Sequence, residues 1–336
     1  MILGILGEPG SGKKTLIRLL VEELPKIKAD EPLEVVVDVP DHRIDFIAKA
    51  TKATKKTLYK LKFLLPSLST EKLAMQLNQL RNCDGFLVVV KNFEHDVNQS
   101  SAIKKLEEVQ GDVILADLLV AEKRLEGLNM DKKKGRPINP KELELLYKAK
   151  EALEKGLFLR EIPELKDPVE LRGFRFLSQR PFLVVFNNLQ DQKLPVLEGL
   201  RLVSDALALP LGLENELMAL TEQERREFME LYGIEGSSKE RILKKSFELL
   251  NLKTFFTYLS NETRAWGVPK SFTCVDCAGV IHSDIKKGFI RAEVVSYEDL
   301  IRFGDIQACK KAGVMRLEGK DYAVKDGDVI TFRFNV

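Results

Sequence analysis

The sequence predicts an α/β protein in which helices cover a mainly parallel sheet, a helical hairpin is inserted, and a small α+β domain closes the chain. Three observations support this prediction. Apolar, β-branched runs alternate with helical patterns before residue 110 and after residue 166. Two leucine-rich, charge-laced helical patterns lie between these parts. From about Asn251 the chain changes to short strands and turns.

These changes of pattern place the domain boundaries. We expect a discontinuous sheet domain at 1–110 and 166–250, a helical insertion at 111–165, and a C-terminal domain at 251–336. The chain has 336 residues, which is long enough for about two or three domains. Its 44% of apolar residues can build a core in each of them.

Apolar runs predict the strands of both sheets. The first domain is expected to use Met1–Leu6, Leu33–Val37, Leu58–Leu65, Gly85–Val90 and Phe182–Phe186, with the second run buried and stopped by Pro40. The C-terminal domain is expected to use Ile290–Val295, Tyr322–Val324 and Val329–Val336, with a tight turn at Asp326 and Gly327.

A glycine-rich loop separates the first strand from the first helix. It reads GEPGSGKKT and matches the pattern GxxxxGK, in which backbone N–H groups and a helix N-terminus bind phosphate. The lysine ammonium would reach the β- and γ-phosphate oxygens of a nucleotide. The expected phosphate-binding residues are Gly7, Glu8, Pro9, Gly10, Ser11, Gly12, Lys13, Lys14 and Thr15.

Lys14 departs from this pattern, because a hydroxyl normally follows the lysine and binds Mg²⁺. An ammonium cannot ligate a metal, and the Thr15 hydroxyl comes one position too late. Two interpretations remain open. The site has decayed, or the Lys14 charge replaces that of the metal, so that nucleotide binds without Mg²⁺ and is hydrolysed slowly. No metal ligand is assigned, and Mg²⁺ is a doubtful cofactor.

Composition limits the location and partners of the chain. A net charge of +2 gives no overall attraction to nucleic acid, so such contacts would need local patches. No segment approaches the length of a membrane span, and four cysteines fit a reducing compartment. We expect a cytoplasmic protein with no membrane contact.

Two basic segments have alternative interpretations. Six lysines between Lys49 and Lys62 form either a solvated face or a contact with a phosphate backbone. The expected tip of the helical hairpin, Lys132 to Arg136, could contact an acidic partner or simply be exposed.

Cys274 and Cys277 form an isolated CxxC, with His282 and Cys309 further along. The irregular spacing favours buried structural cysteines over a zinc site, although a redox or metal role stays open. Trp266 is expected to anchor the C-terminal core. His42, His95 and His282 receive no catalytic role.

Several segments resemble the YchF, or Obg-like ATPase, family. TRAWGVPKSF, AGVIHSDIKKGFIRAEVVSYEDLI and MRLEGKDYAVKDGDVITFRFNV resemble its C-terminal TGS domain, a ubiquitin-like β-grasp domain. VPDHRIDFIAKA, DLLVAEKRLEGL and RPFLVVFNNLQD resemble its segment after switch I, its coiled-coil insertion and its base-recognition strand. The resemblance implies a P-loop NTPase of the TRAFAC class that associates with ribosomes or RNA, with nucleotide as its only small-molecule substrate.

The base-recognition motif leaves the nucleotide open. Family members carry NxxE at this motif, and the corresponding residues of this chain are Asn188, Leu189, Gln190 and Asp191. Kinship favours ATP, but a carboxylate at Asp191 would accept hydrogen bonds from guanine N1–H and N2–H. The expected base-binding residues are Asn188, Leu189 and Asp191, and the alternative is that Asn188 and Asp191 only cap a loop.

The catalytic motifs of the family are altered. Its switch II DxxG corresponds to Leu61–Ser69, which has neither acid nor glycine, and its switch I threonine corresponds to Ala29. Pro210, Leu211 and Gly212 replace the SAK-type loop, and Gly10 replaces a phosphate-loop asparagine. We therefore expect nucleotide binding with weak or deficient hydrolysis and assign no catalytic residue. An active ATPase or GTPase and a nucleotide-free scaffold remain alternatives.

Overall fold

The structure, a computed structural model, describes residues 1–21, 28, 30–67, 73–93, 99–189, 194–197, 199–231, 236–259 and 261–335. The chain divides into two compact units. The first unit contains residues 1–37 and 62–249, and the second contains 38–61 and 250–336. Among the described residues, no helix is both long enough and apolar enough to cross a membrane.

The strands and helices of the described residues follow in chain order. The strands are β1 Ile2–Leu6, β2 Leu33–Val39, β3 Lys55–Thr57, β4 Tyr59–Leu65, β5 Gly85–Asn92, β6 Phe182–Asn188, β7 Asp205–Leu209, β8 Leu252–Leu259, β9 Glu262–Pro269, β10 Phe289–Val295, β11 Arg316–Glu318 and β12 Val329–Phe334. The α-helices are α1 Lys13–Leu20, α2 Arg43–Thr51, α3 Leu73–Gln79, α4 Gln99–Lys133, α5 Pro140–Glu154, α6 Leu211–Leu217, α7 Glu222–Leu231, α8 Ser238–Leu249, α9 Cys274–Ile281, α10 Ser283–Lys287, α11 Tyr297–Phe303 and α12 Ile306–Lys311.

The first sheet has the strand order β2-β4-β1-β5-β6-β7. β1 pairs in parallel with β4 and β5, and β6 pairs in parallel with β5 and β7. The prediction of a parallel α/β sheet is therefore confirmed. β2 is not a fully buried strand as predicted, because it lies at the sheet edge and leaves Val36 47% exposed.

The second sheet has the order β11-β10-β12-β8-β9-β3 and mixes antiparallel and parallel pairs. Its edge strand β3 comes from the early segment 38–61 and pairs in parallel with β9. The same segment contributes α2, whose Ile44 and Ile47 join a core with Phe256 and Leu300. Residues 38–61 thus pack with the C-terminal residues, whereas the sequence prediction grouped them with 1–110.

The predicted strand at Tyr322–Val324 is wrong, since this segment forms only an isolated bridge between Ala323 and Thr273. Its carbonyl groups have other partners. The Tyr322 carbonyl accepts from the Cys274 N–H at the start of α9, and the Val324 carbonyl accepts from the Lys253 ammonium. The predicted turn at Asp326 and Gly327 is present, with Gly327 at φ +86°.

Helix α4 has 35 residues and starts thirteen residues before the predicted insertion pattern at Asp112. At 1.5 Å per residue it spans about 52 Å. Ala102, Leu106 and Val113 belong to the core of the sheet. Leu125 and Leu128, further along, pack in a second core with α5. One continuous helix therefore connects the sheet to the helical arm formed by α4 and α5.

The second helix of the arm has a well-defined start. Asn139 has extended backbone angles, and its side chain accepts hydrogen bonds from the N–H groups of Lys141 and Glu142. Pro140 occupies the first helical position, where the missing N–H costs nothing. The short polar segment between α4 and α5 thus ends in a cap that fixes where α5 begins.

Asp117 marks the place where α4 passes from one core to the other. Its side chain is fully buried and accepts from the N–H groups of Leu177 and Ser178 at 3.0 and 2.7 Å. The Ser178 hydroxyl donates at 2.7 Å, and the Arg81 guanidinium at 3.0 Å. Both carboxylate oxygens are satisfied, so Asp117 ties α4 to the segments on either side of it.

We expect Asp117→Ala to lower the free energy of unfolding by about 3 kcal/mol. The substitution leaves three buried donors, the two N–H groups and the Ser178 hydroxyl, without an acceptor, and it removes the carboxylate that pairs with Arg81. Urea denaturation followed by circular dichroism measures the change. Asp167→Ala is the matched control, since its pair with Arg172 is exposed and worth roughly 0–1 kcal/mol. Equal effects of the two substitutions would contradict the structural role of Asp117.

Candidate functional site: a glycine-rich loop between β1 and α1

The loop at 7–15 connects the end of β1 to the start of α1. Gly7, Gly10 and Gly12 have φ values of +147°, +78° and +108°, which residues with a side chain rarely adopt. A Cβ atom at Gly7 would lie 2.4 Å from the Val89 carbonyl oxygen, and one at Gly12 would lie 2.5 Å from Asn187 Nδ2. The loop conformation therefore depends on glycine at these positions for both backbone angle and space.

Lys13 is buried, and its ammonium points back into the loop. Its Nζ donates to the carbonyl oxygens of Gly7 at 2.6 Å and Glu8 at 2.8 Å. Burial lowers the pKa of Lys13 to about 8, and the Glu8 charge partly opposes this shift. The ammonium is therefore still mainly protonated at neutral pH and lies inside the curl of the backbone.

Lys14 is exposed on the first turn of α1, and Thr15 is half-buried. The Lys14 ammonium has no lone pair for a metal. No group of three or more His, Cys, Asp or Glu side chains able to hold a metal ion occurs in the described parts of the chain. Among the described residues of the loop, Lys14 therefore does not fit Mg²⁺ at the position of the usual hydroxyl ligand.

Asn187 contacts the loop directly and was not among the predicted site residues, whereas its neighbour Asn188 was predicted to bind the base. The buried Asn187 side chain donates from Nδ2 to the Ser11 carbonyl at 3.0 Å. Asn188 instead accepts from Asn92 Nδ2 on β5 at 2.9 Å. Every residue of β6 is buried, so alternation of polar and apolar positions gave no means of choosing between the two asparagines.

Of the other predicted site residues, some lie near the glycine-rich loop. Leu211 begins α6, and its Cδ1 would lie 3.8 Å from a Cβ at Gly12, so the Pro210–Gly212 segment is near the loop. Leu189 follows β6 and is 39% exposed. Gln190, Asp191, Ala29, His95 and the end of Leu61–Ser69 lie outside the described residues.

The three C-terminal cysteines considered as zinc or redox ligands are buried. Cys274 and Cys277 pack in one core and Cys309 in another, and burial raises the pKa of the first two thiols to about 12. The prediction of buried cysteines is confirmed. His282 is exposed and accepts from the Asp284 N–H at the start of α10. Trp266 stacks on Phe255 at an interplanar angle of 12°.

Lysines of the basic stretch between Lys49 and Lys62 pair with carboxylates. Lys60 binds Asp38 at 2.9 Å, and Lys56 binds Asp45 at 2.6 Å. Both lysines are at least half exposed. This pattern favours the solvated-face interpretation for these two residues.

The fold has a close counterpart among solved structures. It matches the structure of the Schizosaccharomyces pombe YchF GTPase with a TM-score of 0.81 at 24% sequence identity, covering 99% of this chain and 97% of that one. The two chains therefore share a fold. A family model named YchF-GTPase_C, described as "Protein of unknown function (DUF933)", matches residues 252–335.

Sequence relatives extend over the whole chain. "Ribosome-binding ATPase YchF" of Pasteurella multocida is 34% identical over 360 aligned positions, and the protein of that name from Bacillus subtilis is 32% identical over 362. Each alignment covers 99% of both chains. The chain belongs to the YchF family.

We expect Gly12→Ala to destabilise the protein by roughly 2 kcal/mol. Alanine would have to adopt the positive φ of this position, and its Cβ would collide with the Asn187 side chain. Thermal unfolding measures the change. Gly127→Ala is the control: this glycine lies within α4 with open space around it, and alanine there should stabilise the helix by about 1 kcal/mol. A neutral Gly12→Ala variant would show that the close approach of Asn187 is unimportant.

Proposed function

We propose that the chain is a YchF-family protein that binds ATP or GTP at residues 7–15, hydrolyses it weakly or not at all, and associates with ribosomes or RNA in the cytoplasm. The observation that carries the nucleotide site is the position of the Lys13 ammonium inside a loop with three glycines at positive φ. A cation held there, at a helix N-terminus, suits a phosphate group.

In this proposal different residues bind the phosphates and the base of the nucleotide. The backbone N–H groups of the loop and the start of α1 donate to phosphate oxygens, and Lys13 supplies a charge to the β- and γ-phosphates. Asn188, Leu189 and Asp191 are the proposed base-binding residues. Asn187 acts through the loop, because its hydrogen bond to the Ser11 carbonyl holds the backbone in place.

We infer weak hydrolysis from the residues that stand at the usual metal-binding positions. Phosphoryl transfer requires positioning and neutralisation of the charge on the transferred group, a task usually performed by Mg²⁺. Lys14 occupies the position of the usual hydroxyl ligand, and Leu61–Leu65 of the segment aligned with switch II is strand with an apolar pattern. We propose that the Lys14 charge compensates for the absent metal ligand in binding but not in catalysis.

The names of the relatives support one part of this proposal and favour one alternative. Ribosome binding in those proteins supports a ribosomal partner for this chain, and we assign residues 251–336 as the TGS domain and 111–165 as the coiled-coil insertion that make the contact. The word ATPase in the same names favours an active enzyme as the second candidate function.

Titration calorimetry with ATP and GTP, each in Mg²⁺ and in EDTA, tests the site. We expect binding that does not require Mg²⁺, and at least a tenfold loss of affinity in Lys13→Met, because a buried charge on the phosphates is removed. Lys14→Ser restores the usual hydroxyl and should make binding depend on Mg²⁺. Lys123→Met, an exposed lysine on α4, serves as the control.

Three outcomes of this titration would contradict parts of the proposal. Tight binding that requires Mg²⁺ in the unchanged chain would rule out charge compensation by Lys14. No binding of either nucleotide would favour a scaffold. Rapid release of phosphate, measured alongside, would favour the active enzyme.

The helical arm provides a separate test of ribosome association. Lys132→Glu/Lys134→Glu reverses two exposed charges at the tip of the arm, and we expect it to reduce co-sedimentation with ribosomes several-fold as phosphate contacts are lost. Lys104→Glu/Lys123→Glu makes the same change in charge at exposed positions elsewhere on α4. Equal binding by both variants would exclude the arm tip from the contact.

A further inference from the structure

A cavity of about 220 Å³ lies behind the glycine-rich loop, between the loop, β5, α3 and α4. Its inner wall is apolar and includes Val88 and Val90 of β5 together with Val109 of α4. The backbone of Gly7–Pro9 forms another wall. The cavity therefore shares Gly7, Glu8 and Pro9 with the proposed phosphate-binding loop, and its other lining residues come from β5, α3 and α4.

The polar part of this cavity carries an excess of negative charge. Glu8, Glu108 and Asp112 contribute three carboxylates, whereas Lys105 contributes one ammonium, so that carboxylates exceed ammonium groups by two among the described lining residues. The Lys105 Nζ lies 3.3 Å from Glu108 Oε2 and 3.6 Å from Glu8 Oε2. Its charge is therefore engaged by these two side chains.

Asp112 has no such compensation. Its side chain is half-buried and makes neither a hydrogen bond nor an ion pair with any other residue that the structure describes. Burial raises the pKa of Asp112, and the Glu108 charge one helical turn earlier raises it further. Because both effects disfavour the carboxylate, a cation bound beside Asp112 would relieve them.

We propose that this cavity binds a small organic cation, with an ammonium or guanidinium group at Asp112 and Glu108 and an apolar stem against Val88, Val90 and Val109. The carboxylates repel an anionic ligand, and a purely apolar ligand would leave Asp112 without a partner in a drier environment. A bare metal ion is disfavoured by the apolar wall, and the carboxylates here do not form a group of three able to hold a metal ion among the described residues. This site is additional to the nucleotide site.

The pentylammonium ion is a suitable probe, with 1-pentanol as its neutral counterpart. Methyl spectra of the full chain, labelled at valine, report on Val88, Val90 and Val109 without any nucleotide present. We expect pentylammonium to shift these three signals saturably at millimolar concentration, as is usual for so small a ligand. 1-Pentanol should bind about fivefold more weakly, because it lacks the charge.

Asp112→Asn should weaken pentylammonium binding about fivefold, and Glu108→Gln is a second variant that removes the other carboxylate near the cation. Glu126→Gln, which neutralises an exposed carboxylate further along α4, should leave the affinity unchanged. Unchanged methyl dispersion would show that each variant is folded.

The proposal is overturned if the valine shifts do not saturate, if 1-pentanol binds as tightly as pentylammonium, or if both Asp112→Asn and Glu108→Gln bind like the unchanged chain. These outcomes can be told apart from those of the nucleotide proposal, because the valine signals are recorded without nucleotide and the calorimetric titration measures ATP and GTP, although both sites border Gly7–Pro9. A chain that fails to bind ATP and GTP could still bind the cation, and the reverse also holds.

Discussion

The buried carboxylate of Asp117 is the constraint on which the first unit depends. It holds α4 where this helix leaves the core of the sheet and enters the core of the helical arm. At about 52 Å, the helix is long enough to reach both cores. The Asp117 hydrogen bonds also fix residues 177–179, immediately before β6, so the same group positions the strand that carries Asn187.

The position of α4 brings the two proposed sites, which differ in charge, to one loop. On one side of the loop, Lys13 and the start of α1 present positive charge. On the other side, Glu8 faces Lys105 of α4, and the cavity there has an excess of carboxylates. The two sites share the backbone of Gly7–Pro9. A ligand on either side would therefore contact the same three residues, which gives a physical route for one site to influence the other.

Much of the fold could be predicted from local pattern. Apolar runs predicted β1, β4, β5, β6 and β10 within a residue or two, because strands that pack into a core carry apolar side chains on the buried face. The glycines at positions 7, 10 and 12 indicated a curled loop, since few other residues adopt positive φ. Tyr322–Val324 misled the prediction because β-forming residues there bond to a side chain and a helix N-terminus instead of a neighbouring strand.

By itself, the sequence determined the glycine-rich loop, most strands of the first sheet, and the departure at Lys14, because each is a property of residues close together in the chain. Only the tertiary structure decided that residues 38–61 complete the second sheet, and that Asn187 rather than Asn188 contacts the loop. Both depend on pairing between residues far apart in the chain. Local pattern carries no information about such partners when a strand is very short, as β3 is, or buried on both faces, as β6 is.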